Sequence, residues 1–89
     1  MPLLLVTFDS NKPGQDHSKL HDEIMSYSNV RLSDSSYAII TDKTPGVVCE
    51  ALKKHIETDD NIYIINLKRP YAGYGPELVT DWLKKELRD

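Results

Sequence analysis

Residues 37–52 read YAIITDKTPGVVCEAL, and the fold turns on how this stretch is parsed. Tyr37-Ala38-Ile39-Ile40-Thr41 is rich in β-branched and aromatic side chains, which predicts a strand. Thr44-Pro45 then marks a helix start, because the threonine hydroxyl can cap the first turn and proline suits the first helical position. Val47, Val48, Ala51, Leu52 and Ile56 follow as an apolar stripe at helical spacing. The chain leaves this helix through Thr58-Asp59-Asp60-Asn61, a turn, and enters Ile62-Tyr63-Ile64-Ile65-Asn66-Leu67, the most strand-like run in the sequence.

Upstream the pattern repeats. Leu3 to Phe8 is a short apolar run that predicts a buried strand, with Pro2 at its very start, where a missing N–H does no harm. Pro13-Gly14 signals a turn, Asp16 can cap a helix, and Leu20, Ile24 and Tyr27 recur at helical spacing. This predicts a helix over residues 16–27, ended by Ser28-Asn29. Val30 to Ser33 predicts another strand. Asp34, Ser35 and Ser36 separate it from Tyr37, leaving room only for a hairpin turn or a bulged continuous strand.

The order is therefore strand, helix, strand, strand, helix, strand. That is the α+β, ferredoxin-like βαββαβ pattern: one antiparallel sheet with two helices on one face. Residues 1–67 form the core of a single domain spanning 1–89, and 68–89 add a connector and a C-terminal helix. The connector, Arg69-Pro70-Tyr71-Ala72-Gly73-Tyr74-Gly75, carries two tyrosines that read either as base-stacking groups or as packing for the connector. Pro76 opens the last helix, whose Leu78, Val79, Trp82, Leu83 and Leu87 fall mostly on one face. Two helices cover only one side of the sheet, yet both strand faces are apolar. A homodimer through the uncovered face is expected, with Trp82 and Leu83 helping to seal it.

Composition narrows the function. An apolar content of 39% with 28% charged residues describes an ordinary globular chain rather than a disordered one. Fourteen acids against eleven Lys and Arg give a net charge of −3, which argues against a strong, sequence-independent grip on a duplex. Local basic pairs at Lys53-Lys54 and Lys68-Arg69 are the candidate nucleic-acid contacts, weak and salt-sensitive. MPLLLVTF is too short to span a membrane and lacks the basic flank of a secretion signal. With Cys49 the single cysteine, a cytoplasmic chain without membrane contact is expected. His17 and His21 stand four apart on the first predicted helix, but two ligands do not make a metal site. Cys49 reads as a small core residue. DSNKPGQD has one glycine and is no phosphate-cradling loop, and no serine sits on a nucleophile elbow.

One residue stands out. The first strand stops on Asp9, followed by the polar, bend-prone SNKPGQD. Asp9 is either a strand terminator or a carboxylate presented at the mouth of the sheet. The apolar strand ending in Asp9, RLSDSSYAIIT, TPGVVCEAL, the acidic turn and IYIINL together resemble small bacterial and phage proteins filed as SinR-like, close to the CRISPR-associated adaptation protein Cas-two and to VapD. The resemblance covers residues 3–67 in topology, and SinR-like members add a terminal helix. It implies a ferredoxin-like homodimer in which Asp9 lies near the two-fold axis, with Ser35 or Ser36 and Tyr37 at the start of the third strand. It further implies either a metal-dependent nuclease acting on RNA or DNA, or a non-catalytic scaffold for a protein or nucleic-acid partner. For the nuclease, two Asp9 carboxylates would share one Mg²⁺ or Mn²⁺, an ion that takes one or two carboxylates plus water and phosphate. Asp9 is then both metal ligand and catalytic residue; for the scaffold no cofactor is needed.

Overall fold

The computed structural model describes residues 3–9, 18–57 and 60–87. Four strands, β1 (Leu3–Asp9), β2 (Ser28–Ser33), β3 (Ser36–Ile40) and β4 (Asn61–Leu67), and three helices, α1 (Ser18–Met25), α2 (Pro45–Lys53) and α3 (Glu77–Glu86), follow in the order β1-α1-β2-β3-α2-β4-α3. The sheet order is β2-β3-β1-β4, and every neighbouring pair is antiparallel. β1 and β2 therefore run parallel with β3 between them, and β3 and β4 run parallel with β1 between them.

Strand alternation sorts the side chains into two layers. Leu4, Val6 and Phe8 of β1 stand opposite Ile39 and Tyr37 of β3 and Ile64 and Ile62 of β4. These residues pack with Leu20 and Ile24 of α1 and Val48 and Leu52 of α2, so both helices lie on one face over a single core. α2 starts as its sequence dictates: the Thr44 hydroxyl accepts from the Val47 amide at 3.3 Å, and Pro45 occupies the first turn.

The opposite face carries Leu3, Leu5, Thr7 and Asp9, with Ile40, Ala38 and Ser36 on β3 and Leu67, Ile65, Tyr63 and Asn61 on β4. α3 packs against β2. Val79, Trp82 and Leu83 are half-buried and Leu87 is buried, a stripe at i, i+3, i+4 and i+8. Val30, Ala38 and Leu3 on the opposite face are buried. The last helix thus docks in cis and covers part of the face expected to be bare. Tyr63 and Ile65 on β4 stay 62% and 52% exposed.

Several details differ from the sequence reading. α1 is shorter at its end than the expected 16–27, stopping at Met25 because the Ser26 amide and hydroxyl both turn back to the Glu23 carbonyl. The expected start at Asp16 and the Pro13-Gly14 turn lie outside the described residues. Ser28 and Asn29 begin β2 instead of ending the helix, since their register with Ile40 and Ile39 completes the ladder. The β2–β3 connection is a turn at Asp34-Ser35 with a register irregularity between Arg31 and Ser33, braced by an Arg31–Asp34 ion pair. Val47 is exposed because the helix centres its buried line on Val48 and Leu52, one residue round the turn. Leu78 is likewise outside the buried stripe of α3, 78% exposed.

Candidate functional site

Asp9 is exposed and pairs with Asn61. β3 leaves β1 at the Thr7–Ser36 pair, with a last contact from the Phe8 amide to the Ser35 carbonyl at 3.0 Å. β1 and β4 continue alone for two more residues, so Asp9 projects beyond the body of the sheet. By alternation it shares the α3 face with Thr7, whose hydroxyl meets that of Ser36 at 3.0 Å in a half-buried pair. The rows nearest Asp9 are thus oxygen-rich: Asn61 beside it, then Thr7, Ser36 and Tyr63. Such neutral oxygens suit a hard divalent cation, but one protomer offers a single carboxylate among them. Among the described residues no three His, Cys, Asp or Glu converge on a metal-sized site. Ser10 and Asn11, the loop oxygens next in sequence, lie outside the described residues.

The four basic candidates divide by topology. Lys53 and Lys54 close α2, next to the turn that leads to the start of β4; Lys68 and Arg69 follow the end of β4. β4, which separates the two pairs in the chain, is itself about 20 Å long at about 3.4 Å per residue. Lys53 is bound to Glu50 at 2.6 Å, and that hydrogen bond and charge raise its pKa above the ordinary 10.5. Trp82 and Leu83, expected at a dimer interface, are half-buried on α3 within the protomer. His21 meets Tyr37 edge-on at 6.2 Å, and His17 lies outside the described residues. Cys49 is a half-buried free thiol on α2.

Two features were not visible as sequence motifs. Glu23 and His55, 32 positions apart, meet at 2.9 Å in a half-buried pair that ties α1 to the residues following α2. The connector after β4 is flanked by two hollows. One, of about 680 Å³, has Arg69, Tyr71, Thr80 and Lys84 in its wall. The other, of about 240 Å³, is walled by Leu32, Tyr74, Val79 and Leu83, and the two meet at Tyr71, Ala72, Gly73 and Thr80. Tyr74 is fully exposed and Tyr71 is 40% exposed, so neither is absorbed into the protomer's core.

No protein-family model, curated protein or solved structure matches the chain. No helix among the described residues is long and apolar enough to cross a membrane.

Proposed function

We propose that the chain is a ferredoxin-like protein of the Cas-two and VapD kind that forms a homodimer and serves as a scaffold for nucleic acid. The order β2-β3-β1-β4, with every neighbour antiparallel, supports the fold as two interleaved βαβ units. The observation that carries the dimer is the strip of Leu5, Ile65 and Tyr63 left beside α3 on the β1–β4 half of the sheet. It is two strands wide, about 10 Å, and runs about 7 Å along β4 from Tyr63 to Ile65. Its area is well below the roughly 800 Å² per partner of a tight interface. The dimer should therefore dissociate on dilution. Light scattering between low and high micromolar concentration tests this; a monomer at every concentration refutes it.

The nuclease is the second reading, and one observation favours it. Asp9 lies on the same face as the apolar strip and at its end, so a two-fold axis running along the strands would bring two Asp9 side chains together, whereas one running across them would hold the pair at opposite ends. Together they supply the two carboxylates that one chain lacks, and the Thr7–Ser36 hydroxyls stand next to them. Incubating the purified protein with RNA and DNA in Mg²⁺ and in Mn²⁺ decides between the readings. Cleavage abolished by Asp9→Asn supports the enzyme; no cleavage under either metal leaves the scaffold.

A further inference from the structure

We infer that the paired hollows beside the connector form a nucleotide site, with the phosphate held between Arg69 and Lys84 and the base set against Tyr71 and Tyr74. Their chemistry is divided as a nucleotide's is. The larger hollow has two cationic side chains and the Thr80 hydroxyl in its wall. Arg69 comes from the connector and Lys84 from α3, and Thr80 and Lys84 share one face of α3 at i, i+4 spacing, so three donors from two segments converge on one space. A guanidinium and an ammonium lining one hollow are suited to phosphate oxygens, which accept charge-assisted hydrogen bonds from both.

The adjoining hollow is of the opposite kind. Leu32, Val79 and Leu83 are apolar members of its wall, and the exposed Tyr71 and Tyr74 line it as well. Tyr71, Ala72, Gly73 and Thr80 belong to both hollows, so a ligand spanning the two lies along this shared wall. A flat, apolar group joined to an anion within a few bonds occupies both at once. A phosphate alone leaves the apolar hollow empty. Base stacking on an aromatic side chain contributes without demanding a sequence, which suits a site with no Asn or Gln side chain in its wall. The same chemistry comes from two sources, a free mononucleotide or one residue of a single strand.

This inference rests on the nucleic-acid side of the proposed function, but needs neither the dimer nor Asp9. The test titrates the full chain with AMP, adenosine, inorganic phosphate and a 5′-phosphorylated oligothymidylate, read by amide chemical shifts and calorimetry. AMP is expected to bind at least about ten-fold more tightly than adenosine or phosphate, and to move the Ala72 and Gly73 amides. Lys84→Gln and Arg69→Gln should each weaken AMP about ten-fold. Lys84 is exposed, so the thermal melt of Lys84→Gln should match the parent chain. Tighter binding of the oligonucleotide assigns the site to a single strand; equal binding assigns it to the mononucleotide. Absence of AMP binding overturns the inference, as does AMP binding indifferent to both substitutions. If the oligonucleotide binds but Lys84→Gln leaves it unchanged, this site fails while the nucleic-acid scaffold stands.

Discussion

Ile64 and Ile65 are neighbours on β4 with opposite fates, and truncating each in turn measures what covers the two faces. Ile64 packs into the core between the sheet and the first two helices. Ile64→Ala should cost about 2–3 kcal/mol, toward the lower part of the usual range because the residue is only partly buried. Ile65 is 52% exposed on the other face. Complete burial of an isoleucine stabilises by about 1.5–3 kcal/mol, so roughly half of that, about 1 kcal/mol, is already realised in the protomer. The other half becomes available only if a second copy covers the strip. A two-fold interface contains the residue twice, so Ile65→Ala removes about 2 kcal/mol from dimerisation, a roughly 30-fold weaker association. Urea unfolding at sub-micromolar protein gives the protomer costs, and sedimentation equilibrium gives the association constants. Equal unfolding costs for the two variants would refute the assignment of the faces. An unchanged association constant for Ile65→Ala would refute the strip as the interface.

Asp9→Asn should preserve the fold, abolish any Mg²⁺- or Mn²⁺-dependent cleavage, and leave the dimer intact or tighter in metal-free buffer, because like charges are removed; a cleavage assay run beside light scattering checks both. Thr44→Ala removes the side-chain cap of α2 and should lower stability by about 1 kcal/mol, while Thr44→Ser should recover most of it. Trp82→Ala should cost about 2 kcal/mol even in dilute, monomeric protein, because the ring is half-buried on the protomer's own α3; no loss would place that helix in solvent. Lys53 has a raised pKa when folded, so its pairing with Glu50 stabilises fully below 10.5 and is lost as pH rises through the folded value. The melting difference between the parent chain and Glu50→Gln should therefore be flat from about pH 6 to 9 and shrink in more alkaline buffer.

The elements themselves were legible because each carries its own local physics. Thr44-Pro45 specifies a helix start through one hydroxyl and one fixed dihedral, whatever the rest of the chain does. The β-branched run at 62–67 and the apolar run at 3–8 made strands, and the sequence boundaries missed by only a residue or two at β2, β3 and β4. Asp9 as a terminal, exposed residue of β1 also followed from the sequence, since the apolar run stops there and a polar loop begins. The end of α1 was misread because a serine-rich segment is equally fit for a helix terminus or a strand start. Pairing with β3 decided it.

What only the tertiary structure decided is which side chains from distant positions meet. The stripe on α3 showed that the helix must dock, but sequence periodicity gives the face of a helix and not its partner; packing placed it on β2 in cis. The two basic pairs look alike in the sequence, yet one closes a helix and the other follows a strand. The Glu23–His55 pair and the Thr7–Ser36 hydroxyls join residues 32 and 29 positions apart, and Arg69 and Lys84, 15 positions apart, line one hollow. Such contacts depend on strand order and helix placement, which arise from burial summed over the whole chain. No short motif encodes that sum.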